Sequence, residues 1–288
     1  MAKPGYKAMN KMTAIGAGFH LHLSGNSDLT PQTFNWTSED TPIKVFIDSA
    51  IIPGIEFIKP KNEIKVAWMG ESRAIFYEWY VKEHVFKSKQ VVELLENSYD
   101  ALFFADKDYC KLSPKFHFAL AGSNLPWCKN KQIFEKSKMT SMIASTKQIT
   151  KYHILRHKYA EKFKNNIDLF GGALDSKRIG IGPWGDKSEG LNDYRFHIVV
   201  ENDSYSTYYT EKLTDCFATG TIPVYFGAPD IGDYFNKDGI IILDDNFDIN
   251  CLTSDLYQSK IDAVKDNFER VQNLVGADDL LYKAIQEL

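Results

Sequence analysis

From residue 43 onward, short apolar runs alternate with amphipathic stretches, and this alternation of periods constrains the fold more than any other feature. Ile43-Lys44-Val45-Phe46-Ile47, Ile64 to Met69 before Gly70, Ala101 to Ala105, and Ser137 to Ser145 read as strands. So do Ile167 to Phe170 running into Gly171-Gly172, Phe196 to Val200, Thr221 to Phe226, and Ile240 to Leu243. Helical spacing fills the gaps. It shows at Val91, Leu94 and Leu95, at Tyr152, Leu155, Tyr159 and Phe163, and from about Glu211 to Thr219, where Gly220 suits a left-handed helix end. A helix carrying Ile261, Val264, Phe268, Val271 and Leu274 and a shorter one ending at Leu288 close the chain. Strand and helix in alternation predict α/β architecture with parallel sheets and crossover helices. The 288 residues suffice for two domains. The character changes near residues 145–150, which predicts an N-terminal domain over 1–147 and a C-terminal domain over 148–288, with a cleft between them for a ligand. Residues 1–42 read as irregular.

A net charge of −4 argues against a nucleic-acid partner, although a local basic patch can still hold a phosphate. The first residues contain no apolar run long enough to span a membrane and no secretion signal, so a soluble, cytoplasmic chain is expected. The sequons at Asn35 and Asn202 are then coincidental. Cys110, Cys128, Cys216 and Cys251 have no zinc-ligand spacing and read as free thiols, with a Cys110–Cys128 pair open in principle.

The chemistry points to Val200 through Lys212, a loop that leaves the carboxyl end of a strand and enters a helix. In open α/β sheets that is the binding crevice, and the helix start offers free N–H groups to a phosphate. Lys212 adds a charge, Asn202 and Tyr208 add neutral donors, and Glu211 is an acceptor for ribose hydroxyls. On residue types alone, the same loop reads equally well as a solvated first turn, where acidic residues are favoured anyway.

Glu201-Asn202, a Ser/Tyr-rich spacer, Thr210-Glu211-Lys212, then Gly220 through Gly227-Ala228-Pro229 and Asp233-Tyr234-Phe235 closely resemble the C-terminal signature of the α-1,3-fucosyltransferases, glycosyltransferase family 10. Upstream, Ser141 to Ser145 followed by Arg156, Tyr159, Phe163, Asp168 and Gly171 resembles the family's entry into its donor domain. By that match Arg156 contacts the donor phosphate; Lys177 and Arg178 are runners-up, and an ordinary surface arginine is the alternative. Trp68-Met69-Gly70-Glu71-Ser72 resembles the family's acidic motif after a strand, which makes Glu71 the expected general base, with an ordinary surface glutamate as the alternative. The family often has a proline soon after; here Arg73-Ala74-Ile75 follows.

The resemblance implies two Rossmann-like domains of the GT-B type and inverting transfer of fucose from GDP-fucose to a hydroxyl of a glycan acceptor. No anchor or stem like those of animal relatives is read in the sequence, so a soluble enzyme of bacterial-like or viral type is expected. No DxD motif stands where a metal-dependent transferase would place it, so no essential metal or other cofactor is expected. The rival readings are a GT-B transferase using another sugar nucleotide, and a non-catalytic nucleotide or carbohydrate binder on the same scaffold.

Overall fold

The computed structural model describes residues 10–16, 29–79, 88–122, 124–179 and 187–288. Their strands form two sheets in which every strand pair is parallel. The first contains β1 (Asn10–Ile15), β2 (Phe34–Thr37), β3 (Ile43–Ile47), β4 (Ile64–Met69), β5 (Ala101–Phe104) and β6 (Phe116–Phe118), in the order β2-β1-β3-β4-β5-β6. With it go α1 (Arg73–Trp79), α2 (Lys89–Ser98) and α3 (Lys107–Cys110). The second sheet contains β7 (Lys138–Ile143), β8 (Asp168–Phe170), β9 (Tyr194–Val200), β10 (Ile222–Phe226) and β11 (Ile241–Ile242), in the order β11-β10-β9-β7-β8. Around it run α4 (Lys151–Phe163), α5 (Glu211–Ala218), α6 (Ser254–Ser259), α7 (Ile261–Gln272) and α8 (Ala277–Gln286).

Two expectations need correction. Residues 1–42 are not all irregular: β1 and β2 fall there, and β1 is an interior strand between β2 and β3. Its run, Asn10 to Ile15, buries little beyond Met12 and Thr13, so it lacks the apolar density that marks a central strand. The junction expected at 147/148 also moves. β7 pairs with β8 and β9, so the chain passes from one sheet to the other between Phe118 and Lys138.

The C-terminal end crosses back. Trp36 of β2 donates its indole N–H to Asp278 of α8 at 2.7 Å. Asp279 accepts from the backbone N–H of Thr33 at 2.8 Å and of Gln32 at 2.9 Å, and Phe34 stacks on Tyr282 with ring centroids 5.0 Å apart. One apolar cluster accordingly runs from Met12, Trp36, Trp68 and Phe103 to Val199, Leu213, Phe217 and Leu281, joining the layers around both sheets. A separate cluster of Met142, Tyr159, Phe163, Phe196 and Val224 packs α4 on the second sheet alone. The four cysteines are free thiols, Cys110 and Cys128 included. Among the described residues, no helix is long and apolar enough to cross a membrane.

The α8 staple carries a pH signature. Burial pushes the Asp278 carboxyl up from 3.8 to about 7, with the Trp36 indole N–H opposing. The folded state therefore holds more protons than the unfolded state between those values, so this group's contribution to stability falls as pH rises through that window. Asp278→Asn keeps an acceptor for Trp36 and removes the charge. Unfolding free energies from urea titrations should fall less between pH 4.5 and 7.5 in this variant than in the parent chain, by on the order of 2–4 kcal/mol.

Candidate active site

The loops at the carboxyl ends of β4 and β9 meet between the sheets. The N–H of Ala74 donates to Asp203 at 3.0 Å, and Arg73 reaches Asp106 at 2.7 Å and Asp203 at 3.7 Å. The Arg73 guanidinium also lies over the Tyr205 ring, 4.2 Å from its centroid. Arg73, which stands close to where the resembled family often has proline, thus starts α1 and ties the two loops together. Thr207 adds a further tie by donating its hydroxyl to the carbonyl of Ala105.

The loop after β9 is fixed from its own side as well. Thr207 sits in the left-handed region at φ +74°, and its N–H donates to Asp230 at 2.8 Å. The Ser204 hydroxyl donates to the carbonyl of Gly227 at 2.8 Å. A Cβ at Gly227 would run into the Tyr225 hydroxyl and come within 2.8 Å of Glu201 Cγ, so only glycine fits. Gly220, at φ +71°, closes α5, and a Cβ there would meet Ile133 at 2.8 Å. Much of the signature that follows α5 therefore packs the loop rather than facing a ligand.

A cavity of about 290 Å³ opens beneath these loops, and all six residues singled out in the sequence line it. Glu71 enters from the first sheet; Arg156 comes from α4, Asn202 and Tyr208 from the loop after β9, and Glu211 and Lys212 from the first turn of α5. Lys177 and Arg178 do not line it; both are exposed, and Lys177 pairs with Glu189.

Arg156 is buried at 6% exposure. Its Nε and Nη2 donate to the carbonyl of Val200 at 3.1 and 2.6 Å, and Nη2 also donates to Asn202 Oδ1 at 2.9 Å. Burial draws its pKa down, with Glu201, Tyr208 and Glu211 opposing. Among the described residues, no carboxylate makes an ion pair with it. A guanidinium stays charged, so the chain keeps a buried cation here without an anionic partner in contact.

Lys212 is placed differently. Its ammonium donates to Thr210 Oγ1 at 3.0 Å and lies 3.4 Å from both Glu201 and Glu211. Glu201 is fully buried and spends its carboxylate on the helix cap, accepting from the N–H of Thr210 at 2.9 Å and its hydroxyl at 2.8 Å. Burial alone would raise Glu211, but Lys212 and Lys187 more than offset it and hold the carboxyl at about 2. Glu71 is half-buried and accepts from the N–H of Ser72 at 3.2 Å; burial raises its pKa and Lys212 pulls it back.

Several lining residues escaped the sequence reading, Lys187 and Asp215 foremost. Lys187 pairs with Asp215 at 2.7 Å and Glu211 at 3.4 Å, and sits 4.5 Å above the centroid of Trp127. Asp215 also accepts from the N–H of Trp127 at 2.6 Å and of Cys128 at 2.8 Å, which anchors the segment joining the sheets. Asp215 follows Glu211 by one helical turn, a spacing that could have flagged it. Lys187 carried no such signal within its loop. His153 and His197 also line the cavity; burial lowers them to about 4 and about 3, so both are neutral near pH 7. Among the described residues, no group of three His, Cys, Asp or Glu side chains could hold a metal ion.

Comparison with known proteins adds to this geometry. Residues 133–270 match the family model described as "Glycosyltransferase family 10 (fucosyltransferase) C-term". The α-(1,3)-fucosyltransferase FucT of Helicobacter pylori is 37% identical over 96 residues, which are 33% of this chain and 20% of that protein. The α-(1,3)-fucosyltransferase B of Drosophila melanogaster is 41% identical over 56 residues, 19% of this chain and 13% of that one. The matched stretches thus span a small part of these relatives. A crystal structure of an α1,3-fucosyltransferase superposes with a TM-score of 0.55 at 15% identity, covering 100% of this chain and 93% of that chain. At that identity the likeness shows the fold, two parallel-sheet α/β domains of the GT-B type.

Proposed function

We propose that this chain, whose residues 133–270 form a glycosyltransferase family 10 (fucosyltransferase) C-terminal domain, moves fucose from GDP-fucose to a hydroxyl of an acceptor glycan with inversion at the anomeric carbon. The observation that carries the reading is the convergence in one cavity of a carboxylate from the first sheet with cations and hydrogen-bonding groups from the second. The names of two relatives, the GDP-fucose protein O-fucosyltransferase 3 of Xenopus laevis and of Xenopus tropicalis, support the choice of donor.

In this reading the donor's diphosphate lies against Arg156 and Lys212, with Asn202 and Tyr208 as neutral partners. Glu211, ionised between two lysines, accepts from the ribose hydroxyls. Glu71 takes the proton of the acceptor hydroxyl as its oxygen bonds to the anomeric carbon. The bond from that carbon to the phosphate oxygen breaks on the opposite face, and its electron pair leaves with GDP. Side chains preorganised around the departing diphosphate stabilise the growing charge, each contact contributing about 3–4 kcal/mol where measured in comparable sites. No metal is required in this scheme.

The test is a turnover panel of GDP-fucose, GDP-mannose and UDP-sugars against acceptors containing galactose, glucose and N-acetylglucosamine, with and without chelator. Transfer from GDP-fucose that persists in chelator is expected. Turnover confined to another sugar nucleotide would replace the donor assignment, and GDP binding without any turnover would make the chain a binder.

A further inference from the structure

One buried carboxylate beside the cavity has no part in the scheme above. Asp48 directly follows β3, and β3 pairs with β4 in a register that sets Ile47 beside Trp68. From there the side chain reaches one strand across. Its Oδ1 accepts the N–H of Gly70 at 2.9 Å and the N–H of Glu71 at 3.0 Å. Both donors belong to the turn that leaves β4, and Glu71 lines the cavity at its end. Asp48 is 8% exposed, and its backbone lies in the left-handed region at φ +45°. Aspartate tolerates that region better than most residues, but glycine adopts it more easily. A strained, buried acid that clamps two consecutive N–H groups marks a turn whose geometry matters.

We propose that Asp48 is the positioning residue of the Glu71 turn: by holding the N–H groups of Gly70 and Glu71 on one oxygen, it sets the direction in which the Glu71 carboxylate enters the cavity. The proposal rests on the reading of Glu71 as the base. Without Asp48 both consecutive N–H groups of the turn lose their acceptor. The Gly70 carbonyl accepts from the N–H of Gly122 at 2.9 Å, so the Gly70–Glu71 peptide is held at its oxygen by Gly122 and at its N–H by Asp48, and Ala74 beyond it is held by Asp203. Burial and the neighbouring Glu71 charge raise the proton affinity of Asp48, and the two N–H donors oppose them. Its Oδ1 accepts both bonds in either protonation state.

Three variants test this, with steady-state kinetics on GDP-fucose and GDP binding by calorimetry. Asp48→Gly removes the clamp and keeps a residue at ease with φ +45°. It should bind GDP within about twofold of the parent, keep KM for GDP-fucose, and lose about 100-fold in kcat, the scale on which a misplaced reacting group costs rate. Asp48→Asn retains an acceptor oxygen of the same reach and should recover most of that loss. Glu71→Ala should lose kcat independently. If kcat falls in Glu71→Ala but stays within threefold of the parent in Asp48→Gly, the positioning role is overturned while the base survives. Equal loss in the Gly and Asn variants, or loss of GDP binding in Asp48→Gly, also overturns it. Parent-like kcat in Glu71→Ala removes the base reading itself, and this proposal with it.

Discussion

Glu71→Ala is expected to lower kcat for transfer by about 10²–10⁴, the range that a positioned base contributes, while GDP affinity stays within about twofold. The split follows from where Glu71 stands. It comes from the first sheet, whereas Arg156, Asn202, Tyr208, Glu211 and Lys212 all come from the second and remain in place without it. Glu71→Gln should lose kcat nearly as fully, because it preserves shape and hydrogen bonding but cannot take a proton. The parent's pH dependence provides a second check. Burial raises Glu71 above its ordinary value of 4.5 and Lys212 opposes the rise. A base must be ionised, so kcat should fall as pH drops through that raised value, with an acid limb above the position of an exposed glutamate. Single-turnover rates across pH, with GDP binding measured alongside, would decide. Unchanged kcat in Glu71→Ala would require another carboxylate as base.

The second-sheet half of the cavity was legible in the sequence because its information is local. Glu201 to Lys212 runs from strand end to helix start without a break, and the same segment supplies the cap, both carboxylate partners of the lysine and five of the lining residues. What stayed hidden is non-local. Asp48 and Glu71 meet only because β3 and β4 are neighbours in register, and Lys187 reaches Asp215 across 28 residues of chain. Arg73 looked like a departure from a family pattern, and only the facing loops give it partners in Asp106, Asp203 and Tyr205. The same cause explains the misplaced junction. Ser137 to Ser145 reads as a strand by composition, but nothing in its residues tells which sheet it joins. The docking of α8 on β2 likewise joins residues 242 positions apart.

Arg156→Ala should weaken GDP binding by about 10²-fold or more, and by more than Lys212→Ala does. Sequence order alone favours Lys212, which sits at the helix start; the ion pairs favour Arg156. Lys212 already shares its charge with Glu201 and Glu211, each 3.4 Å away, so a phosphate must compete with two carboxylates for it. Removing Lys212 also relieves neither glutamate, and part of the measured change would be the cost of leaving Glu201 and Glu211 without that cation. Arg156 is nearly as buried as Glu201, yet among the described residues its partners are the Val200 carbonyl and Asn202 Oδ1. An enclosed guanidinium without a carboxylate in contact favours whichever anion enters, and a charge-assisted, two-pronged bond to phosphate is among the stronger contacts available to it. About 3–4 kcal/mol from such a contact corresponds to a 10²–10³ change in affinity. Arg156→Lys should recover little, because a single ammonium cannot hold Val200 and Asn202 and still present a fork to the ligand. The apo protein should respond in the opposite sense: with this buried charge gone, an Arg156→Met chain should unfold at a urea concentration equal to or higher than the parent does. Calorimetry with GDP and urea titrations of these four variants give both readouts, and weaker binding in Lys212→Ala than in Arg156→Ala would return the phosphate to the helix start.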